Sequence, residues 1–340
     1  MKHVAITGAG GYIGCILVDE LLNAGYRVTA FDRFFFGEDL LAKFRSNPNF
    51  KQKKADIRDL RPQDFEGVQA VCDLAALSND PSGDLDPRLT ESINLLGRVH
   101  VARCARDAGV QQYILSSSCS VYGQGEDENM DEKHGVSPLT TYSKMSLQAE
   151  QQTRQLMSDD FTWTAIRNGT VFGLSPRMRF DLVVNLMTLN AIQKGKIFIL
   201  GGGRQWRPLI HVRDVSRAFV RIVEAPRELI HGELFNLGLD NYRVLSIAYI
   251  VRETLPFPVE IAIAPDDPDK RNYHVSFEKL RTKLGFAPTV SVADGVDEIY
   301  QAMKDGRLSQ GPESSTVGWY RTIVEAQQLV DRVKLNGRLL

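Results

Sequence analysis

The chain of 340 residues has no surplus of charge: 41 basic side chains stand against 42 acidic ones, a formal net charge of −1. That balance gives no electrostatic reason to look for a nucleic acid or an anionic membrane as partner. The sequence also lacks an apolar run near the roughly 18 residues that a membrane-spanning helix needs. Cysteine is scarce. Cys15, Cys72, Cys104 and Cys119 are scattered through apolar segments, with neither metal-ligand spacing nor a disulfide framework. No metal site is expected. The sequence enters an apolar run at once, so no signal peptide is expected, and a reducing, cytoplasmic setting follows as the expectation. Linkers, repeats and low-complexity tracts are absent too. The length allows one large domain or two intimately joined ones.

What is present is alternation. Short apolar runs at about 2–7, 27–32, 50–55, 70–74, 113–116 and 161–167 are separated by stretches with helical periodicity. One such stretch carries Ile13, Leu17, Val18, Leu21 and Leu22 and stops at Gly25, a suitable C-cap. Others run from Arg88 to Ala108 and onward from Thr141. Alternation of this kind predicts an α/β fold, a Rossmann-type doubly wound parallel sheet with ligands at the carboxyl ends of its strands. Beyond about residue 172 the pattern loosens. Helices are expected near 180–195, 215–225 and 245–255, and short strands near 197–200 and 234–237. The expected division is 1–172 for a dinucleotide-binding part and 173–340 for a smaller mixed α/β substrate part, some of whose segments return to the first sheet.

The first strand-to-helix turn reads Thr7-Gly8-Ala9-Gly10-Gly11-Tyr12-Ile13-Gly14. Glycines at 8, 11 and 14 let backbone N–H groups approach a pyrophosphate at a helix N-terminus, where the macrodipole favours negative charge. Asp32 ends the second apolar run at the spacing where a carboxylate accepts hydrogen bonds from a ribose diol and repels a 2′-phosphate. NAD is therefore expected over NADP, with neighbouring Arg33 tempering the preference. Phe34-Phe35-Phe36 follows and is read either as an adenine wall or as loop packing.

Three polar clusters fall where strands should end. They are Ser116-Ser117-Ser118-Cys119-Ser120 after the fifth strand, Tyr142 opening the next helix, and Arg207 in Gln205-Trp206-Arg207-Pro208. With these the chain resembles the extended short-chain dehydrogenase/reductase family, specifically its NAD-dependent nucleotide-sugar epimerases and dehydratases. The resemblance spans nearly the whole sequence: the glycine turn, Asp56-Ile57-Arg58-Asp59, Leu74 with the Ala75-Ala76 pair, Asn94, the serine cluster, Tyr142, Thr170 to Gly173, Arg207 and Arg271 fall in order. It implies that Ser118 and Tyr142 bracket the reacting sugar hydroxyl, with the tyrosine as base while hydride passes to NAD. It places Gly8, Gly11, Tyr12, Ile13, Gly14, Asp32, Arg33, Asp56, Ile57, Leu74, Ala75, Ala76, Asn94, Ser116 and Tyr142 at the cofactor. Ser118, Cys119, Ser120, Tyr142, Thr170, Asn185, Leu186, Arg207 and Arg271 fall at a nucleotide-diphosphate sugar, with the two arginines as the diphosphate clamp. Homodimers are implied as well, through helices near 90–108 and 141–157. His211 reads as a structural hydrogen-bonder and Cys119 as a buried thiol.

Two positions depart from the family. Its 4,6-dehydratases carry an Asp-Glu pair where this chain has Cys119 and Ser120, so elimination lacks its acid and base and epimerisation, possibly at C4, is favoured. A reductase or dehydrogenase with net redox change is the alternative. The family also has a lysine four residues after the tyrosine, which helps a phenol of ordinary pKa near 10 to ionise. Here that residue is Ser146, and Lys144, two residues on, is about 200° around the helix. A natural variant, one that only binds its ligands, and an engineered Lys→Ser change all remain open. On each, slow turnover is expected, rising at least about tenfold when lysine is restored at 146.

Overall fold

The computed structural model describes residues 2–125, 129–265 and 271–339. In chain order the strands are β1 (His3–Thr7), β2 (Arg27–Asp32), β3 (Phe50–Lys54), β4 (Ala70–Asp73), β5 (Gln112–Ser118), β6 (Thr162–Asn168), β7 (Thr170–Phe172), β8 (Lys196–Ile199), β9 (Trp206–His211), β10 (Glu233–Leu237), β11 (Asp240–Arg243) and β12 (Glu260–Ile263). The longer helices are α1 (Tyr12–Asn23), α2 (Arg98–Asp107), α3 (Thr141–Arg154), α4 (Val183–Lys194), α5 (Val212–Glu224), α6 (Val244–Thr254), α7 (Val292–Lys304) and α8 (Thr316–Val333).

Alternation within the strands builds the main sheet. Val4 and Ile6 point to one face and Ala5 to the other; Cys72 and Ile114 share the first face, Val71 and Leu115 the second. All are buried, so both faces need cover, as a parallel sheet demands. Leu17, Val18 and Leu21 of α1 with Phe219 and Ile222 of α5 cover the first; Val99, Ala102 and Ala105 of α2 with Ala149 of α3 cover the second. The result is a seven-stranded all-parallel sheet in the order β10-β6-β5-β4-β1-β2-β3. The strand order reverses between β1 and β4, where the ends of the two strands pair Thr7 with Asp73. A crevice opens at such a switch point.

The later segments fill two roles. β10 and α5 return to the main sheet, β10 pairing with β6 at its edge. The small sheets β11-β9-β7 and β12-β8, with α4, α6 and α7, enclose a separate core around Phe172, Ile197, Leu209, Ile247 and Val296.

One predicted helix differs. The stretch 88–108 is a short helix Pro87–Thr90, a π-helical turn Glu91–Gly97, and then α2. Gly97 sits in the widened turn against Ile57, whose side chain would be 2.8 Å from a Cβ at 97. The wider turn re-aims the residues that follow it, beginning with Arg98.

Candidate functional site

A cleft of about 770 Å³ runs along the carboxyl ends of β1, β2, β4, β5 and β6 and beneath the later segments. Its first wall is the turn between β1 and α1. Gly8 has φ +72°, and a Cβ there would lie 2.8 Å from the Ala75 nitrogen. A Cβ at Gly14 would be 2.2 Å from the Gly8 carbonyl. Only glycine allows the turn to press on β4 and the helix to press on the turn. α1 follows Gly11 as its N-cap, with no side-chain cap and no acidic residue in its first turn, so its leading N–H groups are left to a ligand.

At the end of β2, the Asp32 carboxylate accepts from the Gly10 N–H at 2.9 Å and the Phe34 N–H at 2.6 Å. Phe34 takes φ +54° to make that contact and packs its ring on Gly10. Burial pushes the Asp32 carboxyl up, against those backbone donors. Arg33 turns instead to Asp56 at 3.1 Å and lies 4.4 Å over the Phe35 ring. Arg58 holds the same carboxylate at 2.6 Å, and chiefly through that bond Asp56 is pulled down to about 2. The aromatic run divides: Phe34 is core, whereas Phe35 and Phe36 line the cleft. A glycine cradle, an uncapped helix and an acid beyond β2 fit a dinucleotide whose ribose carries a free diol.

Deeper in, the serine strand and the tyrosine helix meet. Ser118 ends β5, caps the following turn by accepting from the Ser120 N–H at 3.1 Å, and lines the cleft together with Tyr142. Tyr142 stands in the first turn of α3, which Thr140 and Ser143 cap reciprocally. Close packing from the helix Asp80–Gly83 fixes its backbone, since a Cβ at Gly83 would be 2.9 Å from the Tyr142 Cβ. Burial and then Asp80 push the phenol up; Arg98, Ser118 and Arg179 pull it down.

Residues 4–238 match the NAD dependent epimerase/dehydratase family. The chain belongs to that family. Its cofactor is NAD, which supplies a hydride acceptor and donor when bound. The chain is 29% identical over 328 residues to UDP-glucuronic acid decarboxylase 2 of Arabidopsis thaliana, covering 92% of this chain and 71% of that one. Its fold is that of the UDP-glucuronic acid 4-epimerase from Bacillus cereus, at 23% identity and TM-score 0.80, covering 89% of this chain and 99% of that one. The UDP-glucose 4-epimerase of Thermotoga maritima gives 22% identity and TM-score 0.81, covering 90% and 100%.

Most residues that the sequence marked in this family member do line the cleft. Gly8, Gly11, Tyr12, Ile13, Gly14, Asp32, Arg33, Asp56, Ile57, Leu74, Ala75, Ala76 and Ser116 do so on the cofactor side. Ser118, Ser120, Tyr142, Thr170, Leu186, Arg207 and Arg271 do so toward the later segments. Arg207 donates to the Arg271 carbonyl at 2.6 Å, and Arg271 is ion-paired with Asp80.

Four marked residues lie outside it. Asn94 is buried and spends its amide on both backbone groups of Leu77, at 2.8 and 3.0 Å. Asn185 is buried on α4, where it accepts from the Gly173 N–H and donates to the Tyr12 hydroxyl and the Arg179 carbonyl. Both asparagines shape cleft-lining segments from behind. Cys119 donates its thiol to the Arg167 carbonyl at 3.2 Å, and burial pushes it up. Ser146 is buried and donates to the Tyr142 carbonyl at 2.9 Å. Lys144 is exposed, as its position on the helix predicts. His211 pairs with Glu298 at 2.6 Å, away from the cleft lining, in a structural role.

The cleft also holds groups that the sequence did not mark. Arg98, Arg177, Arg179, Asp80 and Asp181 all line it. Arg177 lies 3.7 Å over the Phe36 ring, with Nε and Nη1 buried and unpartnered among the described residues. Arg179 and Asp181 pair at 2.9 Å. Val317 and Tyr320 of α8 close the Phe35–Phe36 end, where Trp319 donates to the Phe35 carbonyl at 2.8 Å.

Proposed function

We propose that the protein interconverts nucleotide-diphosphate sugars by epimerisation at C4 through a transient 4-keto sugar. The observation that carries this reading is that Ser118 and Tyr142 line the same NAD cleft, with a buried thiol and a serine at 119 and 120 instead of two carboxyls. Tyr142 accepts the proton of the sugar hydroxyl, and Ser118 shares that hydrogen bond and fixes its direction. The same hydroxyl recovers its proton from Tyr142 once hydride has returned to the opposite face of the sugar. Redox change cancels over the cycle. Residues 1–172 serve NAD and 173–340 the nucleotide sugar, with Arg207 and Arg271 on the diphosphate, where a guanidinium fork suits phosphate oxygens. A uridine nucleotide is the starting choice, because the relatives named above carry UDP-sugars in their names.

The reading includes a homodimer through the faces of Glu91–Asp107 and α3, where Leu96 is 55% exposed. It also includes a reducing, cytoplasmic setting, in keeping with four free and buried thiols. Among the described residues no helix is long and apolar enough to cross a membrane.

The test is incubation with UDP-glucose, UDP-glucuronic acid and UDP-N-acetylglucosamine, followed by proton NMR of the sugar ring. Appearance of the C4 epimer with no lasting rise in reduced-nicotinamide absorbance supports the reading. A stoichiometric rise, loss of water, or release of carbon dioxide overturns it.

A further inference from the structure

Arg177 is 4% exposed and lines the cleft, yet no carboxylate pairs with it among the described residues. Its Nη2 donates to the Thr316 hydroxyl at 2.8 Å, at the start of α8. Nε and Nη1 are buried without a hydrogen bond. The guanidinium carbon lies 3.7 Å from the centre of the Phe36 ring, and Tyr320 of α8 packs on that ring in turn, with centroids 5.6 Å apart. One arm and the plane of the fork are thus fixed, while the other two nitrogens have nothing to bond. Asp181 does not answer this charge. Its carboxylate takes Arg179 at 2.9 Å, Asn79 at 2.7 Å and the Thr316 hydroxyl at 3.3 Å. A buried guanidinium left short of partners is costly. Burial, and then Arg179, pulls it down to about 10.

The segment that carries Arg177 is pinned to the cofactor turn. The Tyr12 hydroxyl donates to the Gly173 carbonyl at 2.6 Å, and the Ser175 hydroxyl donates to the Tyr12 carbonyl at 2.8 Å. Tyr12 is the first residue of α1, so Arg177, two residues beyond Ser175, stands beside the uncapped end of that helix. A helix end offers only a partial positive charge, whereas a diphosphate is doubly negative. We infer that Arg177 donates Nε and Nη1 to the diphosphate of NAD, with Thr316 of α8 holding the fork in place. The other guanidiniums on the cofactor side are committed: Arg33 to Asp56, Arg98 to Asp73 and Arg179 to Asp181. A planar fork suits phosphate oxygens, and stacking on Phe36 sets its plane. The 2′-phosphate of NADP is not the anion concerned, since the Asp32 carboxylate at the end of β2 repels it. The last helix of the chain therefore helps to hold a cofactor that rests on the first. NAD binds before any sugar chemistry, so a failed epimerase reading leaves this contact standing.

The test is calorimetric titration of the full-length protein with NAD, NADP, ADP and adenosine, together with Tm in the absence of nucleotide. Arg177→Met is expected to weaken NAD and ADP by about 30-fold each, and adenosine by no more than about twofold. Its Tm without nucleotide should be unchanged or higher, because an unpaired buried charge gives way to an apolar side chain of similar length. Opposite signs on stability and on ADP affinity are what a merely structural arginine would not produce. Unchanged ADP affinity, a loss shared equally by adenosine, or a loss confined to NADP overturns the inference. Should Arg177→Met not fold, Thr316→Val decides, since it releases Nη2 and leaves the guanidinium in place. A loss of about fivefold for ADP with adenosine unchanged supports the contact, and ADP affinity within about twofold of the wild type overturns it. The titrations need no turnover.

Discussion

Nη1 of Arg207 donates to the backbone carbonyl of Arg271 at 2.6 Å, so one guanidinium sets where the other begins. Arg207 is 7% exposed and rooted in β9, while Arg271 reaches across the cleft to Asp80. On the proposed reading the two are unequal members of a diphosphate clamp. Arg207→Ala is expected to weaken UDP binding by about 30-fold, or about 2 kcal/mol, because it removes one fork and loosens the next. Arg271→Ala should lose only about fivefold, since binding must first separate Arg271 from Asp80. Calorimetric titration with UDP checks the order; equal losses would refute it.

On the proposed reading, Tyr142 and Ser118 separate chemistry from binding. Tyr142→Phe keeps the ring against Gly83 but removes the hydroxyl, so turnover should fall by about a thousandfold while NAD affinity stays within about twofold. Ser118→Ala leaves the base in place and should cost about thirtyfold. Rates come from NMR of the epimer ratio and NAD affinity from quenching of tryptophan fluorescence. A turnover loss matched by an equal loss of NAD affinity would assign the pair to binding alone.

The glycine cradle makes a paired prediction. Gly8→Ala puts a Cβ 2.8 Å from the Ala75 nitrogen at φ +72°, and is expected to cost about 2 kcal/mol of stability and more than about tenfold in NAD affinity. Gly25→Ala has a similar φ of +82° but open space, so about 1 kcal/mol and unchanged NAD affinity are expected. Urea unfolding and NAD titration of both variants provide the comparison.

Asp56 sets a pH window. Its carboxyl is lowered to about 2 in the fold, chiefly by Arg58, against about 3.9 in an unfolded chain. A depressed carboxyl contributes stability above its unfolded value and loses it as pH falls through the folded one. Asp56→Asn should therefore lower Tm at neutral pH, and the difference from the wild type should shrink between about pH 4 and 2. A difference independent of pH would place the effect in packing instead.

Local rules made much of this molecule legible. The unbroken apolar run Val4-Ala5-Ile6 and the glycines at 8, 11 and 14 locate the first strand and the turn behind it without any tertiary information. What escaped depends on partners far away in the chain. Arg98 on an amphipathic helix reads as a surface charge until the π-helical turn, made possible by Gly97 against Ile57, aims it inward. Asn94 and Asn185 have the polarity of ligand contacts, but their amides are consumed by backbone groups at Leu77, Gly173 and Arg179, which only the folded chain brings near. Asp80 enters the site because Thr140 and Arg271 converge on it across distances that no pattern encodes.

The strand β10 carries a consequence for cutting the chain. It arises after the small sheets have begun, yet it pairs with β6 at the edge of the main sheet. A fragment ending near residue 172 would leave β6 as a bare apolar edge, open to pairing with other copies of itself. The two halves are thus expected to melt in one transition, and truncation there should yield aggregates instead of a soluble cofactor-binding piece. Recombining the later half with a foreign partner would have to carry β10 to the new sheet as well.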